Sequence, residues 1–256
     1  MQLRILGCSG GIGGSLRTTS MLLDHDVLID AGTGVGDLTL SELKQIDHIF
    51  ITHSHLDHVV SIPFLVDTVG GMREAPITVH ATEETLDILK KHLFNWKIWP
   101  DFAEIPNRDQ PYLRYESFRL GDTIAMRTGR IRALPANHVV PAVGFHLDSG
   151  DGSLVFTGDT TTNDALWEEV NRIENLRYLI IETAFSNAER ALAIASKHLT
   201  PDLLAQELAK LARPAKVKIF VSHLKPGEGA LTMEEVEAVA GAFGPRMLSN
   251  GQVFRF

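Results

Sequence analysis

A single cysteine, Cys8, is present among the 256 residues, so the chain cannot form an intramolecular disulfide. No apolar run approaches the ~18–20 uninterrupted residues that a membrane-spanning helix needs. Basic residues are also scarce, because 24 lysines and arginines stand against 32 aspartates and glutamates, which gives a net charge of −8. This balance argues against a polyanionic partner such as duplex DNA or folded RNA, and it leaves a small anionic substrate open.

The first residues lack the features of a secretion signal. Met1–Gly7 reads as a β-strand, without a charged start, a long apolar stretch or a small-residue cleavage site. We therefore expect a cytoplasmic protein with no membrane partner.

Short apolar segments between turn residues predict an α/β (α+β) fold. Met21–Leu23 and Val27–Ile29 read as a hairpin, and Asp148–Gly152 as the turn of another. Buried strands then alternate with helices, among them one near Met233–Ala242. Because this order occurs in both halves, we predict two sheets packed face to face with helices outside, an αβ/βα four-layer sandwich. No linker or repeat is visible, so a single domain over residues 1–256 is expected.

The segment Thr52-His53-Ser54-His55-Leu56-Asp57-His58 carries the densest group of polar residues, between two apolar stretches. Core packing does not explain it, because each buried imidazole needs a polar partner. Imidazole nitrogen and carboxylate oxygen are the ligands of zinc-type ions. The segment therefore predicts a metal site.

His53 and His55, separated by one residue, can point at one ion while Asp57 and His58 turn toward another. One segment supplies too few ligands for two ions, so further ligands are expected at the ends of other strands. Three residues meet this condition: His138, Asp159 and His223 each follow an apolar, strand-like stretch. A rigid scaffold delivers polar side chains to a site in this way. The remaining histidines are expected in turns, at the surface or in strands, and these are His25, His48, His80, His92 and His146.

The order of these residues resembles the metal-binding series of the metallo-β-lactamase superfamily. The resemblance implies a first ion held by His53, His55 and His138, and a second ion held by Asp57, His58 and His223. The carboxylate of Asp159 would bridge the two ions. It also implies two divalent metal ions, zinc as the expected metal with manganese or iron as alternatives. His55 stands where oxygen-reducing di-iron members usually carry an acidic residue, which favours a hydrolase.

Residues of about 92–116 form an irregular stretch that contains Trp96 and Trp99. One interpretation is a lid whose aromatic rings bind substrate by stacking on a base, worth ~1–3 kcal/mol. The alternative is a loop fixed to the body by its aromatic residues, or a contact in a homodimer.

Three polar residues outside the ligand series are further candidates. His198 precedes Thr200-Pro201, a predicted helix start whose dipole favours an anion, so it could contact a phosphate oxygen or protonate a leaving group. Glu182 follows a buried strand, and Lys225 lies two residues after His223. The alternatives are a surface histidine and an exposed lysine without a role in binding.

Three segments of the chain resemble the class II 3′,5′-cyclic-nucleotide phosphodiesterases. They are Ser196-Lys197-His198-Leu199-Thr200-Pro201, Ile98-Trp99-Pro100 and the segment His53–His58 with Leu56 at its centre. The chain departs from that family's signature at Pro63–Asp67, which puts the substrate in doubt more than the chemistry. The resemblance implies hydrolysis of cAMP or cGMP to a nucleoside 5′-monophosphate by a hydroxide that two metals activate. Asp57, His198 and Glu182 would be catalytic, with Glu182 orienting His198 to protonate the 3′ oxygen. His198, Trp96, Trp99 and Lys225 would bind the cyclic nucleotide.

Other functions fit the same ligands. A tRNase Z-like nuclease would share them, although no basic, glycine-bordered arm for gripping tRNA is evident. Another hydrolase of the superfamily is a further alternative, because the fold does not determine the substrate. A non-catalytic nucleotide sensor is a more distant one, since a sensor does not require two hydrolytic metals.

Overall fold

Fourteen strands form two seven-stranded sheets in the computed structural model, which describes residues 1–256. The first sheet has the order β14-β1-β2-β3-β4-β5-β6. Its strands are β1 (Gln2–Gly7), β2 (Ser20–Leu23), β3 (Val27–Ala31), β4 (His48–Phe50), β5 (Ile77–Ala81), β6 (Leu113–Ser117) and β14 (Val253–Arg255).

The second sheet has the order β13-β12-β11-β10-β9-β8-β7. Its strands are β7 (Thr123–Met126), β8 (Gly129–Pro135), β9 (Val143–Asp148), β10 (Ser153–Phe156), β11 (Leu176–Glu182), β12 (Lys218–Ser222) and β13 (Arg246–Met247). In both sheets antiparallel hairpins precede parallel strands, so β3–β6 run parallel in the first and β10–β13 in the second.

Eight α-helices connect these strands. They are α1 (Leu40–Leu43), α2 (Leu56–Val59), α3 (Ser61–Val69), α4 (Glu83–His92), α5 (Asp164–Val170), α6 (Arg190–Ser196), α7 (Pro201–Leu208) and α8 (Gly229–Ala240). The helix predicted near Met233–Ala242 therefore begins earlier and ends earlier. No helix is long and apolar enough to cross a bilayer.

Polar side chains begin several of these helices. The hydroxyls of Thr39 and Thr82 and the amide oxygen of Asn163 accept hydrogen bonds from backbone N–H groups in the first turns of α1, α4 and α5. Such caps satisfy N–H groups that have no partner within the helix. Thr200 occupies the predicted cap position of α7, but its hydroxyl makes no capping bond.

Three hydrophobic clusters define the layers. The central cluster lies between the sheets and joins residues such as Ile29 and Phe50 to Phe145 and Phe156. The second packs α3 and α4 on the outer face of the first sheet, and the third packs α5, α7 and α8 on the outer face of the second. These layers confirm the predicted αβ/βα sandwich. A single domain over residues 1–256 stays a prediction.

The chain between α4 and β6 has neither helix nor strand and is fixed by its aromatic residues. Phe94 and Phe102 are buried in the cluster outside the first sheet, and Trp99 and Tyr112 pack against it. The Trp99 ring meets the exposed Phe64 ring edge to face, with the centroids 5.2 Å apart.

Candidate metal centre

The predicted ligands lie where strands end. The segment His53–His58 follows β4, and His138 follows β8. Asp159 follows β10 and His223 follows β12. Because β4, β10 and β12 belong to the parallel parts of the two sheets, their carboxyl ends bring ligands from both sheets to one place. The structure thus brings together all seven predicted metal ligands.

The first group of ligand atoms comes from His53, His55, His138 and Asp159, and these atoms all lie within 4.8 Å of one another. The His138 Nε2 and His55 Nδ1 atoms are 3.2 Å apart. The His53 Nε2 atom lies 3.7 Å from Asp159 Oδ2. Three nitrogens and one carboxylate converging at this separation are the donor set of a tetrahedral divalent ion.

The second group comes from Asp57, His58, Asp159 and His223, again within 4.8 Å of one another. The Asp159 Oδ2 atom is 3.4 Å from His58 Nε2, and Asp159 Oδ1 is 3.3 Å from His223 Nδ1. Asp159 thus belongs to both groups, as expected for a bridging carboxylate.

Several ligand atoms have no hydrogen-bonding partner in the protein. His53 Nε2, His58 Nε2 and His223 Nδ1 are buried and unpaired. Unpaired buried polar atoms are costly, and native proteins retain them where something else satisfies them. Because the unpaired atoms point into the two groups of donors, these residues fit divalent metal ions.

The electrostatics of three of the ligand histidines suit the same purpose. Burial lowers the pKa of His53 well below its usual value, lowers that of His138 to about 4 and lowers that of His223 to about 3. These three imidazoles are therefore neutral at pH 7, which is the form that ligates a metal. Burial acts to raise the pKa of Asp159, but His223 and His58 outweigh it and hold that pKa well below its usual range.

Asp30 supports the second group and escaped the sequence analysis. Its carboxylate is fully buried and accepts a hydrogen bond from His58 Nδ1 at 2.7 Å. It also accepts bonds from the Thr52 N–H and from the Thr52 hydroxyl, each at 2.8 Å. An acceptor on Nδ1 leaves His58 Nε2 free to ligate. The available signal was a lone acid inside the apolar strand β3.

His198 and Glu182 form a pair beside the ligands. Glu182 is fully buried, and its Oε1 accepts a hydrogen bond from His198 Nδ1 at 2.7 Å. The His198 ring lies 5.0 Å from the His138 ring and 5.1 Å from the His223 ring, so it touches one histidine of each group. Burial lowers the pKa of His198, but Glu182 raises it by charge and hydrogen bonding, and the net direction is upward.

Lys225 and the loop Gly10-Gly11-Ile12-Gly13-Gly14, which is rich in glycine, also border the centre. The Lys225 ammonium donates to the Gly10 carbonyl at 3.0 Å and lies 5.5 Å from the centre of the Phe185 ring, which in turn packs on His198. A Cβ atom at Gly10 would stand 2.8 Å from His223 Cδ2, so the loop requires glycine there. This loop touches a ligand residue, as a loop near the site would.

The two tryptophans are placed differently. Trp99 packs against Phe64 on the outer side of the first sheet, and the Trp96 side chain is 60 % exposed. Neither belongs to the two groups of ligand atoms. Their part in substrate binding stays a prediction.

Similarity to known proteins identifies the superfamily of this chain. Residues 25–223 match a family model described as a beta-lactamase superfamily domain. The chain therefore belongs to the metallo-β-lactamase superfamily, and its ligand groups identify it as a metal-dependent hydrolase.

Relatives with two different activities are similar to the chain. A probable 3′,5′-cyclic-nucleotide phosphodiesterase of Yersinia pestis is 28 % identical over an alignment of 211 positions, gaps included, that covers 72 % of this chain and 58 % of that protein. A ribonuclease Z of Bradyrhizobium is 27 % identical over an alignment of 299 positions, gaps included, that covers 95 % of each chain. The crystal structure of unliganded yeast PDE1 superposes with a TM-score of 0.83 at 17 % identity, covering 100 % of this chain and 99 % of that one. At that identity the superposition establishes the fold alone.

Proposed function

We propose that this chain is a 3′,5′-cyclic-nucleotide phosphodiesterase that releases a nucleoside 5′-monophosphate. The observation that carries the proposal is the position of His198, which Glu182 holds at 2.7 Å in contact with one histidine of each ligand group. A proton donor at the junction of two metal sites suits a reaction in which an oxygen leaves phosphorus.

The proposal includes a dinuclear centre, with zinc as the expected metal. Bound there, two divalent ions would supply a nucleophile at neutral pH and neutralise charge on the phosphate. His53, His55 and His138 would hold one ion, Asp57, His58 and His223 the other, and Asp159 would bridge them. The side chain of Asp57 is 29 % exposed, so it is the ligand carboxylate that can also accept a proton from the attacking water.

The protein's own groups would handle the leaving oxygen. Glu182 raises the pKa of His198 and holds its Nδ1 proton, which leaves Nε2 directed away from Glu182 and available to protonate the 3′ oxygen. A Lys225 ammonium that lies near Phe185 and His198 adds positive charge on the same side of the centre. The positive charge favours an anionic substrate, and the proton donor favours a substrate with a poor leaving group.

The charge of the chain supports a small substrate over a folded RNA. The net charge is −8, and the loop of residues 93–112 contains Lys97 and Arg108 against three acids, Asp101, Glu104 and Asp109. This loop is also packed on the body by Phe94 and Phe102. It therefore does not supply the basic, protruding surface that neutralises many phosphates at once.

A ribonuclease Z-like activity is the second candidate, because the Bradyrhizobium ribonuclease Z aligns over 95 % of both chains. Product analysis separates the two. Metal-loaded protein is given 3′,5′-cyclic AMP, 2′,3′-cyclic AMP and a precursor tRNA in parallel, and the products are resolved by chromatography and gel. Release of 5′-AMP from the first substrate alone supports the proposal. Cleavage of the tRNA without turnover of 3′,5′-cyclic AMP contradicts it and favours the nuclease.

A further inference from the structure

Lys197 connects the two histidines that the proposed reaction uses. It precedes His198 in the chain, and its ammonium donates to the His138 carbonyl at 3.0 Å and to Asn137 Oδ1 at 3.2 Å. In the opposite direction, the Lys197 carbonyl accepts a hydrogen bond from His138 Nδ1 at 3.2 Å. The lysine therefore binds the His138 loop through both its side chain and its backbone.

The backbone of Lys197 is unusual for a residue with a side chain. At the end of α6 it adopts the left-handed conformation, with φ 54° and ψ 52°. Glycine is the usual residue at this position of a helix end, because it adopts the conformation without steric cost. Only Ala193 of α6 is buried, so helix packing contributes little to holding this segment. The contacts of the lysine side chain are the evident reason for a non-glycine residue here.

Hydrogen bonds close a ring around this lysine. The Asn137 N–H donates to the Thr160 hydroxyl at 3.0 Å, and the Thr160 N–H donates to Glu182 Oε1 at 3.0 Å. Glu182 then binds His198, the neighbour of Lys197. Asn137, Thr160, Glu182, His198 and Lys197 thus form a closed circuit that includes the residue before a metal ligand and the proposed acid.

We propose that Lys197 is a positioning residue that fixes His138 and His198 relative to each other. Its carbonyl holds the proton of His138 on Nδ1, which leaves Nε2 free as a ligand, and its ammonium fixes the loop that carries this imidazole. The acid role of His198 rests on the proposed function, whereas the effect on His138 concerns metal binding alone.

The test compares Lys197→Met, which removes the ammonium, with Lys197→Arg, which keeps a cation. Metal affinity is measured by competition with a chelating indicator, and the absorption spectrum of the cobalt-loaded protein reports ligand geometry. Loss of an outer hydrogen-bond partner typically weakens metal binding ~10–100-fold. We expect Lys197→Met to weaken one of two binding steps by about 10-fold and to alter the cobalt spectrum, and Lys197→Arg to recover part of both. Lys218→Met, an exposed strand lysine, is the matched control and should bind metal like the wild type.

Two substrates separate the His198 effect from the metal effect. At saturating metal, Lys197→Met should slow turnover of 3′,5′-cyclic AMP more than that of bis(p-nitrophenyl) phosphate, whose leaving group needs no protonation. If wild-type protein cleaves only the second substrate, the proposed function fails, and the metal affinities still decide the role of Lys197. Should Lys197→Met fold poorly, Lys197→Gly removes the ammonium and relieves the backbone strain. Wild-type metal affinity together with an unchanged ratio of the two turnovers, in either variant, would overturn the proposal.

Discussion

Replacing Asp30 with Asn tests how an outer carboxylate prepares a metal ligand. In the protein, Asp30 Oδ2 accepts a bond from His58 Nδ1 at 2.7 Å, so the remaining nitrogen, Nε2, is free for a metal. The Asn amide oxygen can still accept from the Thr52 N–H, but its NH₂ group then faces His58. Because an NH₂ group only donates, His58 must turn its proton to Nε2 and lose that nitrogen as a ligand. The backbone is not a complication, since Asn tolerates the positive φ of 56° at this position as Asp does.

The magnitude follows from comparable changes. Removing an outer partner of a ligating histidine weakens metal binding ~10–100-fold, which corresponds to about 1.4–2.7 kcal/mol. The metal-free protein also loses a charge-assisted hydrogen bond worth ~1.5–3 kcal/mol, so its stability should fall too. Both changes should appear together in Asp30→Asn.

Asp148→Asn separates these two effects. Asp148 is also buried, and its carboxylate accepts three hydrogen bonds, from Gly150, Asn175 and Arg130. It lies at the opposite end of β9 from Val143, roughly 17 Å away at ~3.3 Å per residue. This variant should lose stability in urea unfolding and keep wild-type metal affinity in a chelator competition. Wild-type affinity for both ions in Asp30→Asn would refute the reasoning.

Three further predictions concern the centre and the fold. Asp159→Ala should abolish nearly all activity, because both ligand groups share this carboxylate, and elemental analysis should find less metal than in the wild type; full activity in a folded variant would contradict the shared role. His198→Ala should keep the metal content and slow hydrolysis of 3′,5′-cyclic AMP by ~10²–10⁴; a loss of metal instead would assign His198 to the ligands. Burial lowers the pKa of His80 to about 4 in the folded protein, whereas an unfolded histidine has a pKa of about 6.5. The stability that comes from burying the neutral imidazole is therefore complete above pH ~6.5 and is lost as the pH falls toward 4. His80→Gln should therefore reduce the loss of stability between pH 7 and pH 5 by about 1–2 kcal/mol in urea unfolding, and an unchanged pH dependence would exclude this account.

The ligand series could be found from the sequence because its chemistry is local. His53–His58 stands between apolar segments, and each later ligand follows an apolar strand, so burial and polarity conflict visibly at these points. The αβ/βα sandwich could also be predicted from the sequence, since hairpin turns and buried strands have short-range sequence signals. The exact ends of α8 could not be predicted, because helix ends depend on packing against neighbouring elements.

The supporting residues could not be found in this way. Asp30 meets His58 only after β3 and β4 pair side by side, and the Lys197 contacts with Asn137 and His138 bridge about 60 positions of sequence. Neither residue has a pattern of its own, since a single acid in a strand and a lysine at a helix end are common. For the aromatic loop the composition left two interpretations open, a lid or a loop fixed to the body, and the buried Phe94 and Phe102 agree with the second.

The metal centre lies where it does because each of the two sheets supplies part of the ligand set. The first sheet supplies His53–His58 and Asp30, and the second supplies His138, Asp159 and His223. Neither sheet alone holds a complete set of donors, since Asp159 belongs to both groups and the other members of each group come from both sheets. The ligand distances therefore depend on the central cluster that packs one sheet on the other, where Phe50 of β4 meets Phe145 of β9 edge to face. The hydrophobic core and the metal centre therefore depend on the same packing of one sheet on the other. This packing buries the phenyl rings and also sets the separation of the ligands at the strand ends.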